Sequence, residues 1–143
     1  IGTMGMGIPA GIAASLRFPE RTVFSIVGDG GALMTGSELA TAISKRAKLI
    51  IIIANNNHYG TIRYHQEVHF PGRQHYATNL VNPDFKQYGK SFGFKSFKID
   101  IVDEIEPVLN EAIAYKGPSL IEFKMSLELN TSSTTLSELQ LKK

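Results

Sequence analysis

The chain has 143 residues, enough for one domain with a real core, and its 43% hydrophobic and 20% charged content is ordinary for a globular protein. A net charge of +2 with no clustered run of Lys or Arg points to a solvated surface rather than a nucleic-acid interface, and the longest strongly apolar run, Leu49–Ala54, is too short to cross a bilayer. The absence of cysteine excludes disulfides and thiolate chemistry and fits a cytoplasmic protein.

The chain begins at Ile1, not Met, and enters at once a Gly-rich stretch, so it reads as a piece of a longer protein. Ile8, Ile12 and Leu16 repeat at helical spacing and predict a helix. A polar turn around Pro19 follows, then Val23–Val27, an apolar run rich in Val that predicts a buried strand. Gly28-Asp29-Gly30-Gly31 reads as a loop. Leu39, Ala40, Ile43 and Ala47 predict a helix, with Thr35 and Glu38 at capping-box spacing. Leu49–Ala54 predicts a second buried strand, ending in Asn55-Asn56-Asn57.

Beyond it, 59–73 reads equally as a surface loop or a mobile cover. Within it, His65 and His69 flank Glu67, which sits one place too late for a zinc-protease helix and would face away from both. Asn82 and Pro83 are expected to open a helix whose core stripe is Phe85, Tyr88 and Phe92, closed by Gly93. Phe97–Ile101 predicts a strand. Ile105, Val108, Leu109, Ala112 and Ile113 predict a helix capped by Asp103 or Glu106, and Leu120–Met125 a last strand. From Glu128 the chain turns Ser/Thr-rich, which predicts a loosely held tail over 128–143 after a domain over 1–127. The alternation gives a three-layer α/β/α sandwich with a mainly parallel sheet.

A right-handed crossover would make the first two strands parallel and bring their carboxyl ends to one sheet edge, where open α/β sheets bind ligands. Asp29 and Asn56 follow those ends, 27 positions apart. A carboxylate and an amide oxygen are hard donors suited to Mg²⁺, which commonly keeps phosphate oxygens in its shell. The glycines beside Asp29 allow backbone N–H groups to approach a phosphate. The rival motif is Gly5-Met6-Gly7-Ile8-Pro9-Ala10, a GxGxxA dinucleotide pattern. It lacks a strand before it and an acidic residue ending a second strand.

Gly28-Asp29-Gly30, followed by Asn55-Asn56, resembles the signature of thiamine diphosphate (ThDP) enzymes, a GDG and an NN roughly 25–30 residues apart at two strand ends. Gly2-Thr3-Met4-Gly5 and Tyr59-Gly60-Thr61-Ile62-Arg63 resemble the acetolactate synthase-like branch. The resemblance implies the ThDP-binding fold. It implies metal ligation by Asp29, Asn56 and the backbone carbonyl of His58. It also implies cofactor contacts from Gly2, Thr3, Met4, Gly28, Gly30, Gly31, Tyr59, Gly60 and Thr61. Among these, the Gly2 carbonyl would accept from the aminopyrimidine, and Met4 would hold the cofactor bent.

The implied activity is decarboxylation of a 2-oxo acid such as pyruvate with carbon–carbon bond formation. A 2-oxo acid decarboxylase, an aldehyde lyase and a non-catalytic ThDP-binding or oligomerisation module are the alternatives. The implied cofactors are ThDP and Mg²⁺, with FAD possible in the full-length protein. The catalytic glutamate that activates the pyrimidine would come from a pyrimidine-binding domain, in the family from a neighbouring subunit. No residue here is assigned that role, and a homodimer or homotetramer follows from the shared site.

Overall fold

The structure, a computed structural model, describes residues 3–70, 73, 75–128 and 134–141. Four strands form one all-parallel sheet, β1 (Val23–Gly28), β2 (Leu49–Asn55), β3 (Lys95–Ile99) and β4 (Ser119–Lys124), in the order β1-β2-β4-β3. Helices lie on both faces, as the right-handed crossovers of a parallel sheet require. The three-layer α/β/α reading therefore holds.

On one face, α1 (Gly7–Arg17), α2 (Asp29–Thr35), α3 (Leu39–Ser44) and α5 (Phe85–Phe92) close over Leu49, Ile51, Ile53 and Leu120. Ile8 and Ile12 supply the buried stripe of α1; the third residue of that repeat, Leu16, is exposed. Phe85 is fully buried, with Tyr88 and Phe92 packed against the same core. Burying a side chain of this size stabilises by about 1.5–3 kcal/mol. Gly93 closes α5 at φ +97°, a left-handed conformation that costs glycine nothing. On the other face, α6 (Ile105–Ala114) covers Ile50, Ile99 and Ile121 through Ala112, with Ile105, Val108 and Leu109 beside it; Ile113 points to solvent.

Several local expectations are corrected. Gly28–Gly31 is not a loop: β1 passes directly into α2 at Asp29, and a 3-10 turn over Gly36–Glu38 separates α2 from α3. Thr35 does not cap a helix, because its hydroxyl donates to the Gly5 carbonyl at 2.8 Å. The cap of α5 is Asp84, whose Oδ1 accepts from Gln87 N at 2.8 Å, not Asn82. Neither Asp103 nor Glu106 caps α6; a 3-10 turn over Val102–Glu104 leads into it, and the Glu104 side chain accepts from Asp100 N. β3 and β4 start earlier than predicted. β1 is only half buried, with Phe24 and Ile26 exposed on the face of α6.

Residues 60–69 form a helix, α4 (Gly60–His69), so the expected loop is ordered over that span. The tail also carries structure. Within its described part, α7 (Leu136–Leu141) packs on α4 and buries Leu136. No helix among the described residues is long and apolar enough to cross a membrane.

Candidate functional site

The carboxyl ends of β1 and β2 lie side by side, with Gly28 in register with Ala54. What the two strands do next differs. After β1, Asp29 starts α2 and is buried to 2% exposure. Its Oδ1 accepts from the N–H of Gly30 at 3.0 Å. β2 ends on Asn55, the first of three asparagines in a row, each with a carboxamide able to bond its own backbone two residues on. Asn55 Oδ1 accepts from Asn57 N at 3.1 Å, and Asn56 Oδ1 accepts from His58 N at 3.0 Å. Asn57 sits at φ +57°, a conformation asparagine tolerates better than most residues. The result is a tight reversal that delivers Tyr59 and Gly60 to the start of α4.

A third segment closes this edge. Tyr59 N donates to Thr78 O at 2.8 Å and Leu80 N to Asn57 O at 2.7 Å, so the chain before α5 runs along the asparagine reversal. This brings in Asn82. Its Nδ2 lies 2.7 Å from Asp29 Oδ2, 2.9 Å from Asn55 Oδ1 and 3.1 Å from Asn57 Oδ1. Behind it, Asn55 Nδ2 donates to Glu122 Oε1 at 2.8 Å. Glu122, on β4, is 2% exposed.

Beside Asp29 opens a cleft of about 320 Å³. Of the residues predicted to bind the cofactor, Thr3, Met4, Gly28, Asp29, Gly30, Gly31, His58, Tyr59, Gly60 and Thr61 line it, joined by Gly5, Gly7, Ile26, Val27 and Ile62. Gly2 lies outside the described residues. Asn56 does not line the cleft. The side chains that share a hydrogen-bond partner with Asp29 are its neighbours Asn55 and Asn57. Gly30 leaves room for the Tyr59 ring: a Cβ there would stand 2.5 Å from that ring and 3.2 Å from Met4 Cε, so the ring would have to shift. A Cβ on Gly28 would meet nothing within 4 Å, so that side of the cleft is open.

The donor chemistry fits a hard divalent cation beside a phosphate. Carboxylate and carboxamide oxygens gather at one sheet edge, and backbone glycines border them. Gly60, Thr61 and Ile62 open α4, whose first intrahelical donor is Arg63 N to Tyr59 O at 2.9 Å, so these three N–H groups have no partner within the helix.

Histidine is not gathered in the same way. His65 and His69 stack with ring centroids 5.7 Å apart, while Glu67 turns inward to Arg63, with Oε1 2.8 Å from Nη2. No group of three or more His, Cys, Asp or Glu side chains suited to a metal occurs among the described residues. The GxGxxA stretch has a turn, not a strand, at Met4–Gly5 before α1.

Sequence reasoning missed Asn82 and Glu122. The pair Asn82-Pro83 reads as cap and first-turn residue of a helix; the better cap two residues on, Asp84, is the sign that Asn82 is free for another use. Glu122 sits inside an apolar strand, and a lone carboxylate there was the signal.

Residues 1–123 match the family described as thiamine pyrophosphate enzyme, C-terminal TPP binding domain. The chain is 35% identical over 128 residues to a putative thiamine pyrophosphate-containing protein, YdaP, of Bacillus subtilis, a match covering 90% of this chain and 22% of that protein. It is 38% identical over 118 residues to the acetolactate synthase large subunit of Haemophilus influenzae, covering 81% of this chain and 20% of the relative. It is 34% identical over 125 residues to the mitochondrial acetolactate synthase catalytic subunit of Saccharomyces cerevisiae, covering 87% and 18%. The chain thus spans about a fifth of the length of these relatives. With its glycine-lined cleft beside a buried aspartate, and with that match over most of its length, the chain belongs to the C-terminal ThDP-binding domains of the thiamine pyrophosphate enzymes.

Proposed function

We propose that this domain grips the diphosphate of ThDP through a magnesium ion held by Asp29, Asn56 and the backbone carbonyl of His58, within an enzyme that decarboxylates a 2-oxo acid and forms a carbon–carbon bond, most like acetolactate synthase. The observation that carries this reading is the meeting of β1 and β2 at one edge, where a buried carboxylate lines the glycine-rich cleft and the carboxamides of Asn55, Asn57 and Asn82 meet beside it. Bound ThDP supplies the electron sink for loss of carbon dioxide. The protein residues hold and shape it. Asp29 offers the negative charge that attracts the cation, and the cation in turn screens Asp29 from the diphosphate. Free N–H groups at Gly60 and Thr61 would donate to phosphate oxygens. Met4, against Gly30, would support the bend of the cofactor.

The remaining machinery lies in the rest of the longer protein. A pyrimidine-binding domain, from a neighbouring subunit of a cytoplasmic homodimer or homotetramer, would bring the activating glutamate. The 143-residue chain alone is therefore expected not to turn over substrate.

The test is thermal unfolding of the full-length protein with ThDP, with and without Mg²⁺. ThDP raises the melting temperature only when Mg²⁺ is present, and Asp29→Ala removes the shift. An equal shift in EDTA would overturn the metal bridge. Incubation with pyruvate, ThDP and Mg²⁺ then identifies the product: acetolactate supports the synthase, while an aldehyde assigns a decarboxylase or lyase.

A further inference from the structure

Asp29 is the single carboxylate at the proposed metal position, and a metal carboxylate is useful only if its plane is held. The contacts that hold it form a line across the sheet edge. Glu122 Oε1 accepts from Asn55 Nδ2 at 2.8 Å. That contact settles which way the Asn55 amide faces: its nitrogen toward Glu122, its oxygen toward Asn82. Asn55 Oδ1 then accepts from Asn82 Nδ2 at 2.9 Å, which settles Asn82 in turn. The same Asn82 nitrogen donates to Asp29 Oδ2 at 2.7 Å. Each step orients the next, and the line runs from one buried carboxylate to the other.

Two features mark this as more than a satisfied core network. The Asn82 nitrogen has two hydrogens and faces three oxygens, the third being Asn57 Oδ1 at 3.1 Å. Both flanks of the line also carry an oxygen with no partner among the described residues: Glu122 Oε2 and Asn82 Oδ1 are buried without a hydrogen bond there. An apolar packing of the same volume would avoid both penalties. The nearest cation to Glu122 is Lys124, whose Nζ is 3.9 Å from Oε1 at the edge of ion-pair range.

We infer that Glu122, Asn55 and Asn82 form a relay of positioning residues that sets the orientation of the Asp29 carboxylate for a divalent cation, with Asn82 as the contact residue and Glu122 as the remote one. The inference rests on the metal reading given above. Asp29 Oδ1 is held by Gly30 N and Oδ2 by Asn82, so the carboxylate cannot turn, yet each oxygen keeps a lone pair for a cation.

The experiment is a titration of the full-length protein with Mn²⁺ at saturating ThDP and without substrate, reading free Mn²⁺ by electron paramagnetic resonance. Wild type, Asp29→Ala, Asn82→Ala, Glu122→Leu and the double variant Asn82→Ala/Glu122→Leu are compared. Asn82→Ala weakens Mn²⁺ binding by about tenfold or more, the usual scale for an outer-shell partner. Glu122→Leu weakens it in the same direction but less. The double variant is no weaker than Asn82→Ala alone within about twofold, because a relay cut at its last link gains nothing from a second cut. If circular dichroism shows that Glu122→Leu does not fold, Glu122→Gln takes its place in the cycle. Asn82→Ala binding like wild type, or a double variant losing the product of the two single losses, overturns the relay alone. A wild-type protein that takes up no Mn²⁺ with ThDP overturns the metal reading, and the relay with it.

Discussion

Leu120 and Ile121 are neighbours on β4, point to opposite faces of the sheet, and are both at 0% exposure. Phe24 and Ile26 on β1 share the face of Ile121, yet they are 45% and 71% exposed. The difference lies in what covers each strand. α1, α2, α3 and α5 spread across the first face. On the second face α6 seals only the part of the sheet around β2, β3 and β4. β1 and β2 are both mainly apolar strands, but of the two only β2 is buried on both sides. Composition makes a strand available for burial; the placement of helices decides whether burial happens.

Substitutions can break that comparison, the largest effect coming first. Leu120→Ala and Ile121→Ala are each expected to cost about 2–5 kcal/mol, because both leave a cavity in a sealed core. Urea unfolding of the chain measures them, and a cost under about 1 kcal/mol for Ile121→Ala would show the α6 face to be loosely packed. Ile26→Thr is expected to change the stability of the 143-residue chain by no more than about 0.5 kcal/mol, as for other exposed positions. Repeating it in the full-length protein sharpens the contrast: a cost approaching that of Ile121→Ala would mean that the rest of the protein covers β1.

The smallest effect concerns the tail. The Ser137 backbone N–H, and then its hydroxyl, hold the Glu128 carboxyl below the usual carboxylate range, through contacts of 3.0 and 2.8 Å to Oε2. A lowered folded-state pKa means the contact contributes fully above the unfolded carboxylate pKa and fades as pH falls through the folded one. The Ser137 amide resonance is therefore expected to titrate on the acid side of an ordinary glutamate. A midpoint at or above the ordinary value would remove this anchor of α7.

Much of the frame is local and was readable. The runs of Val and Ile gave β1 and β2 within a residue at each end, and Gly93 marked the end of α5, because period and left-handed backbone are properties of short stretches. The start of α2 was not readable. Asp29, Gly30 and Gly31 are poor helix formers, and that turn buries Asp29, Gly30 and Ala32 against the rest of the fold, a tertiary effect that local propensity does not register. The helix of the tail was hidden likewise, since Leu136 is buried by α4 from far away in the chain.

The sequence by itself determined the parallel α/β class, the convergence of the Gly28–Gly31 and Asn55–Asn57 segments on one edge, and through them the family. Those follow from strand periodicity, crossover handedness and two motifs at a fixed spacing. Only the tertiary structure decided which carboxamides meet Asp29, that Asn82 reaches it from the segment ahead of α5 and does not cap that helix, and that Glu122 stands behind Asn55. The physical reason is range. A hydrogen bond between side chains 53 or 67 positions apart, as from Asn82 to Asp29 and from Asn55 to Glu122, leaves no periodic trace in the chain and exists only once the sheet has set the distance.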